Sequence, residues 1–185
     1  LTTNDIVGIV LIIITIIFLL QQFGTNLVGK LFGPITLIWF IMIGILGGMQ
    51  IIAMPPIIKA LNPMYAFNLI FHYDGGFWFL GAVFLCTTGA EALYSDLGHC
   101  GRKNIQLAWI FVKTSLLLNY LGQGAWLMQY EGYRLDGKNP FFFILPESMI
   151  LPAVILATLA TIIASQALIS GSYTLISESL QLNLW

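Results

Sequence analysis

Between Leu85 and Asp96 an apolar run takes up two hydroxyls (Thr87, Thr88), a glycine (Gly89) and two carboxylates (Glu91, Asp96), with Tyr94 and Ser95 between the acids. Hydrocarbon penalises such groups unless they face a protein-lined or wet interior, so an acid here points to a functional site. On a helix Thr87, Thr88, Glu91 and Ser95 fall three or four residues apart and share one face. Hydroxyl, carbonyl and carboxylate oxygens on one face are ligands suited to an alkali cation. Gly89 beside Thr88 would let the helix unwind and turn carbonyls inward, as discontinuous transporter helices do. Glu91 then has two candidate roles, direct ligation of the ion and carriage of a proton. The plainer alternative is that it pairs with a buried cation or caps a broken helix.

The chain that must position these groups is built for a membrane. Of 185 residues 58% are hydrophobic and 8% charged, and the mean hydropathy is +0.90. Soluble domains carry about 25% charged residues. A net charge of -1 gives no electrostatic case for a nucleic-acid or membrane-surface partner. Cys86 and Cys100 form no CxxC pair and read as free thiols. No His cluster, metal-ligand set or nucleophile–base pair supports an enzyme, and no cofactor is expected. Opening on Leu1 without a basic leader, the chain reads as an excised piece of something longer.

Five spans are expected, at about 5–22, 27–52, 77–97, 105–128 and 151–175, all in one partial transmembrane domain covering 1–185. The first is rich in isoleucine and faces lipid. In the second, Gly29/Gly33 and Gly44/Gly48 are spaced four apart, as close-packing helices require, and Pro34 threatens a kink. Residues 54–76 break the pattern with Pro55-Pro56, Asn62-Pro63 and a cluster of aromatics that suits the headgroup level. His72 with Asp74 there reads as solvated rather than as a metal or proton site. The fourth span has a polar line, Ser115, Asn119 and Gln123, with Gly122 beside it. Its Lys113 must either snorkel toward the Arg102-Lys103 loop or pair with an acid on another helix. The fifth carries a small-residue face (Ala157, Ala160, Ala164, Ala167, Gly171). Nearly opposite lies a hydroxyl face (Thr158, Thr161, Ser165, Ser172), flanked by Gln166. Those hydroxyls line a polar interior or bond to their own helix's carbonyls. Basic residues tie by count, three on each side, but the shorter loops at 21–26 and 98–104 favour the cytoplasm.

Six blocks in order resemble the KUP/HAK/KT family of potassium uptake permeases. They are Val28-Gly29-Lys30-Leu31-Phe32-Gly33-Pro34, Ala60-Leu61-Asn62-Pro63, Thr88 to His99, Leu118 to Gly124, Asn139-Pro140-Phe141-Phe142, and Ala157 to Gly171. The resemblance implies an all-α integral membrane fold with five transmembrane helices, similar to helices four to eight of an amino acid–polyamine–organocation (LeuT-like) inverted-repeat transporter. It implies proton-coupled potassium uptake across the plasma or inner membrane. Potassium would sit near the midplane between helices one, three and six, and Thr88 and Glu91 match the sixth-helix positions. Tyr94, Ser95 and Asp96 continue that motif. Potassium and the proton are then transported species. The bilayer and the remaining helices of the full-length chain are partners, and a homodimer stays open. A related secondary transporter of a small organic cation or amino acid is the alternative.

Overall fold

The computed structural model describes residues 7–8, 10–15, 26–73, 75–87, 102–130, 132, 135 and 139–183, with the backbone alone at 26–31 and 86–87. Residues 7–8 and 10–15 are helical. Then follow α1 (Asn26–Ala53), a 3-10 helix (Pro55–Leu61), α2 (Pro63–His72), α3 (Gly76–Thr87), α4 (Arg102–Gln129), α5 (Pro140–Ile144) and α6 (Glu147–Gln181). The described residues are all-helical, without a strand. Three stretches among them, Phe32–Ala53, Arg102–Gln129 and Glu147–Gln181, are long and apolar enough to cross a membrane. At 1.5 Å per residue the first alone is about 33 Å long, which matches a hydrocarbon core of about 30 Å.

Local chemistry sets the breaks. α1 runs on through Pro34, with the Thr36 hydroxyl donating to the Phe32 carbonyl at 2.6 Å. Pro55 and Pro56 then occupy the first turn of the 3-10 helix, where a missing N–H costs nothing. Asn62-Pro63 and Asn139-Pro140 start helices rather than merely turning the chain. In each, the asparagine Oδ1 accepts an amide N–H two residues on, from Met64 and from Phe141, both at 3.0 Å. Side-chain capping followed by proline is a strong helix start.

α1 and α4 form the tightest pair, and they run parallel. Phe40 meets Phe111 edge-on at 6.3 Å between centroids, Gly44 faces Ser115, Gly47 faces Leu118, Asn119 and Gly122, and Ile57 reaches Gly124. Residue numbers rise together on both sides of the seam. A Cβ added to Gly47 would strike the Leu118 carbonyl, and one added to Gly122 would strike the Gly47 backbone. The helices therefore touch main chain to main chain, which only glycine permits.

Beside this seam the apolar core joins Leu46, Ile144, Leu145 and Ala153, with Met42, Trp126, Phe141 and Phe142 packed on it. Thus α5 wedges its aromatic side chains between α1 and α4. Phe141 lies 5.7 Å from Trp39 and Phe143 stacks on Trp126 at 5.5 Å. α6 starts from that wedge.

Away from the core, α2 and α3 fold back on each other. Gly75 turns the corner with φ of +89°, a left-handed conformation that suits glycine. Gly76 is buried against the Leu69 and Ile70 backbone. Most of the hairpin's side chains are exposed, including Phe71, Phe77 and Trp78.

Candidate functional site

Of the residues expected to handle the ion, Thr88, Gly89, Glu91, Tyr94, Ser95 and Asp96 lie outside the described residues. Thr87 is the last residue of α3. Asp74, Cys100, Glu131, Arg134, Asp136 and Lys138 also lie outside the described residues. What the structure shows is the polar architecture of the helices around that stretch.

On α4 the polar line divides in two. Ser115 is buried at 5% exposure, pressed against Gly44, where an added Cβ would come within 3.3 Å of its Oγ. Asn119 and Gln123 are partly buried and join along the helix, Gln123 Nε2 donating to Asn119 Oδ1 at 3.3 Å. Two amides one turn apart thus satisfy part of each other's hydrogen-bonding need, at a modest gain of about 0.6 kcal/mol in a membrane setting. The residues that meet α1 follow a different spacing: Phe111, Ser115, Leu118 and Gly122 step by four, three and four, and Ala125, fully buried, continues the series. That is the period of a knobs-into-holes seam. The sequence carries this signal, overlaid by the four-residue polar repeat that shares Ser115 with it.

The glycines are re-sorted by the tertiary contacts. Gly44 does pack, but its packing partner in sequence is Gly47, since Gly48 and Gly33 have nothing within 4 Å of an added Cβ. The spacing rule of four is therefore replaced by a spacing of three on the buried face of α1. The reason is the crossing itself: Gly44 and Gly47 face Ser115, Leu118 and Asn119 on α4, while Gly48 is rotated off the contact.

On α6 the hydroxyls turn inward on their own helix. Thr158 donates to the Val154 carbonyl and Thr161 to that of Ala157, both at 2.8 Å, and Ser172 donates to Leu168 at 2.9 Å. Thr158, Thr161 and Ser165 nevertheless border a cleft of about 370 Å³ together with Val10, Ile13 and Phe142. The two readings of this face are compatible, because a hydroxyl that donates backward keeps lone pairs for the cleft. Gln166 is buried at 8% exposure, while Ala164 and Ala167 on the small-residue face are exposed.

Lys113 is exposed, and its ammonium lies 4.7 Å from the Trp109 ring centroid. Trp109 is one turn nearer Arg102, so the side chain reaches toward the basic end of α4, as snorkelling requires, with the ring face as its neighbour. His72 is exposed at the end of α2. Among the described residues no three His, Cys, Asp or Glu side chains gather as a metal site.

Comparison with known proteins supplies the context for this arrangement. Residues 1–185 match the family described as the K+ potassium transporter integral membrane domain. A probable potassium transport system protein Kup from Cytophaga hutchinsonii is 62% identical over 184 residues, which is 97% of this chain and 28% of that protein. The corresponding protein of Flavobacterium johnsoniae is 57% identical over 188 residues, 99% of this chain and 29% of its own length. A probable Kup 2 protein from Lactococcus lactis subsp. cremoris is 54% identical over 176 residues, 94% of this chain and 26% of its own. No solved structure matches. The chain thus spans just over a quarter of the curated relatives it matches. The described residues are all helical and include three membrane-length helices, and the chain, matched from its first residue to its last, belongs to the family of K+ potassium transporter integral membrane domains.

Proposed function

We propose that this chain is the middle part of a multi-pass potassium uptake permease of the plasma or inner membrane, a transporter rather than an enzyme. The observation that carries the reading is the family match across residues 1–185, joined by relatives named as potassium transport proteins. Uptake is coupled to protons, with Glu91 and Thr88 at the ion's position and Tyr94, Ser95 and Asp96 continuing the same wall. The fold is the five-helix portion of an inverted-repeat transporter.

The parallel course of α1 and α4 supports this reading. α1 leaves the layer after Ala53 and α4 enters from the opposite side at Arg102, so the chain between them must cross back. The longest apolar run there begins at Gly76 and extends toward Leu97. A crossing through it carries Glu91 within the membrane, where an acid is expensive to keep and is retained for use.

Rubidium uptake by the full-length protein tests the assignment. Glu91→Gln is expected to abolish uptake with insertion intact, and Glu91→Asp to leave measurable flux. Undiminished rubidium flux through Glu91→Gln would remove Glu91 from the ion path. Uptake of an organic cation or amino acid in place of rubidium would favour the related-transporter reading.

A further inference from the structure

At the end of the membrane layer where α1 and α4 finish lies a second cleft, of about 340 Å³, lined by Pro56, Ile57, Lys59, Ala60, Tyr65 and Met128. We infer that this cleft is a binding site for an anionic phospholipid, with the headgroup phosphate at Lys59 and Tyr65 and an acyl chain in the apolar part.

The 3-10 helix builds the cleft. Side chains three apart eclipse one another in such a helix, so Pro56 and Lys59 form one column and Ile57 and Ala60 the next. Ile57 is buried at 8% exposure, and its Cδ1 lies 3.1 Å from where a Gly124 Cβ would stand. That contact fixes the 3-10 helix to α4 and brings Met128 to the cleft. Among the described residues the lining holds one ammonium, one phenol and no carboxylate, with apolar groups making up the rest. Lys59 and Tyr65 are both exposed, so their polar ends stand at the mouth.

An occupant must therefore be apolar along most of its length and carry an anionic, hydrogen-bond-accepting end. The location selects a lipid over a soluble anion. Ala53 and Gln129 end two membrane-length helices, which puts the cleft at the headgroup level, where lysine and tyrosine meet lipid phosphates. The first-turn amides of α2 offer little to a free anion, because Asn62 already accepts from Met64 N–H through its side chain and from Tyr65 N–H through its carbonyl.

The test uses full-length protein in nanodiscs of phosphatidylcholine containing a spin-labelled phosphatidylglycerol or the matching labelled phosphatidylcholine. The wild type is expected to immobilise the glycerol lipid preferentially. Lys59→Gln should lower that preference about fivefold, the worth of one cation at a lipid surface, and Lys59→Arg should keep it. Ala60→Trp, which fills the cleft without touching the charge, should reduce immobilisation of both lipids. A preference that survives Lys59→Gln would overturn the headgroup assignment. Unchanged immobilisation in Ala60→Trp would overturn the acyl-chain assignment, and would mean that protein covers the cleft. Displacement of the label by free glycerol phosphate at equal concentration would also overturn the proposal, in favour of a soluble anion.

Discussion

The α1–α4 seam and the α2–α3 hairpin are drawn from similar apolar, glycine-containing sequence, yet they are packed in opposite ways. In the seam, Gly47 and Gly122 bring two backbones into contact, and Ile43, Gly44, Ser115 and Ala125 are buried around them. In the hairpin, close approach is confined to the corner at Gly75 and Gly76, and large side chains such as Trp78 are 81% exposed. Glycine thus does two jobs here. In the seam it removes side chains so that separate helices can meet, and in the hairpin it lets one chain turn sharply. The difference separates two helices that pack main chain to main chain from an element whose apolar side chains find little packing among the described residues.

Substitution at the crossing should give the largest effect. Gly122→Leu would force a branched side chain into the Gly47 backbone, and is expected to abolish the folded, monodisperse fraction of full-length protein on detergent gel filtration. Normal yield from that variant would break the distinction between seam and hairpin. Gly76→Val comes next. Its side chain would meet the Leu69 and Ile70 backbone, so the hairpin corner should open, with a cost of about 1–3 kcal/mol by analogy with overpacking. Protease sensitivity near residue 75 would rise while the seam, read by a disulfide trap between α1 and α4, stays intact. Concerted loss of both would show that the two regions fold as one unit.

A smaller effect is expected from Gln123→Leu, which removes the bond to Asn119. The loss should be about 0.6 kcal/mol, a shift of a few degrees or less in thermal unfolding. A loss several times larger would mean that this pair also bonds to groups beyond the described residues. Comparable in size but opposite in sign is Gly48→Ala, since nothing lies within 4 Å of its added methyl. Alanine at an open helical position should raise stability by about 0.5–1 kcal/mol. A loss of stability there would place a further helix against that side of α1.

Much of the fold was legible because membrane helices announce themselves by length and composition. The apolar runs of α1, α4 and α6 needed no tertiary information, nor did the proline-marked breaks at Pro55 and Pro140. Their partners were harder to read. Gly44 and Gly48 satisfy the same spacing rule as a real packing pair, but a helix face is selected by its neighbour's position. Spacing alone does not encode that position. The same limit applied to Thr158 and Thr161, whose hydroxyls could equally serve a cavity or their own carbonyls.

For the ion site the division is sharper. The sequence by itself determined that this is a membrane chain, that it carries an acid within an apolar run, and that its motifs follow one transporter family. These follow from hydrocarbon's cost for charge and from residue order, which are properties of the chain alone. Only the tertiary structure decided that α1 and α4, parallel already in the five-span reading, lie side by side, that Gly47 and Gly122 are their point of contact, and that Lys113 lies over Trp109. Adjacency, crossing point and side-chain partner depend on where one helix stands relative to another. Each helix's own sequence is compatible with several such placements.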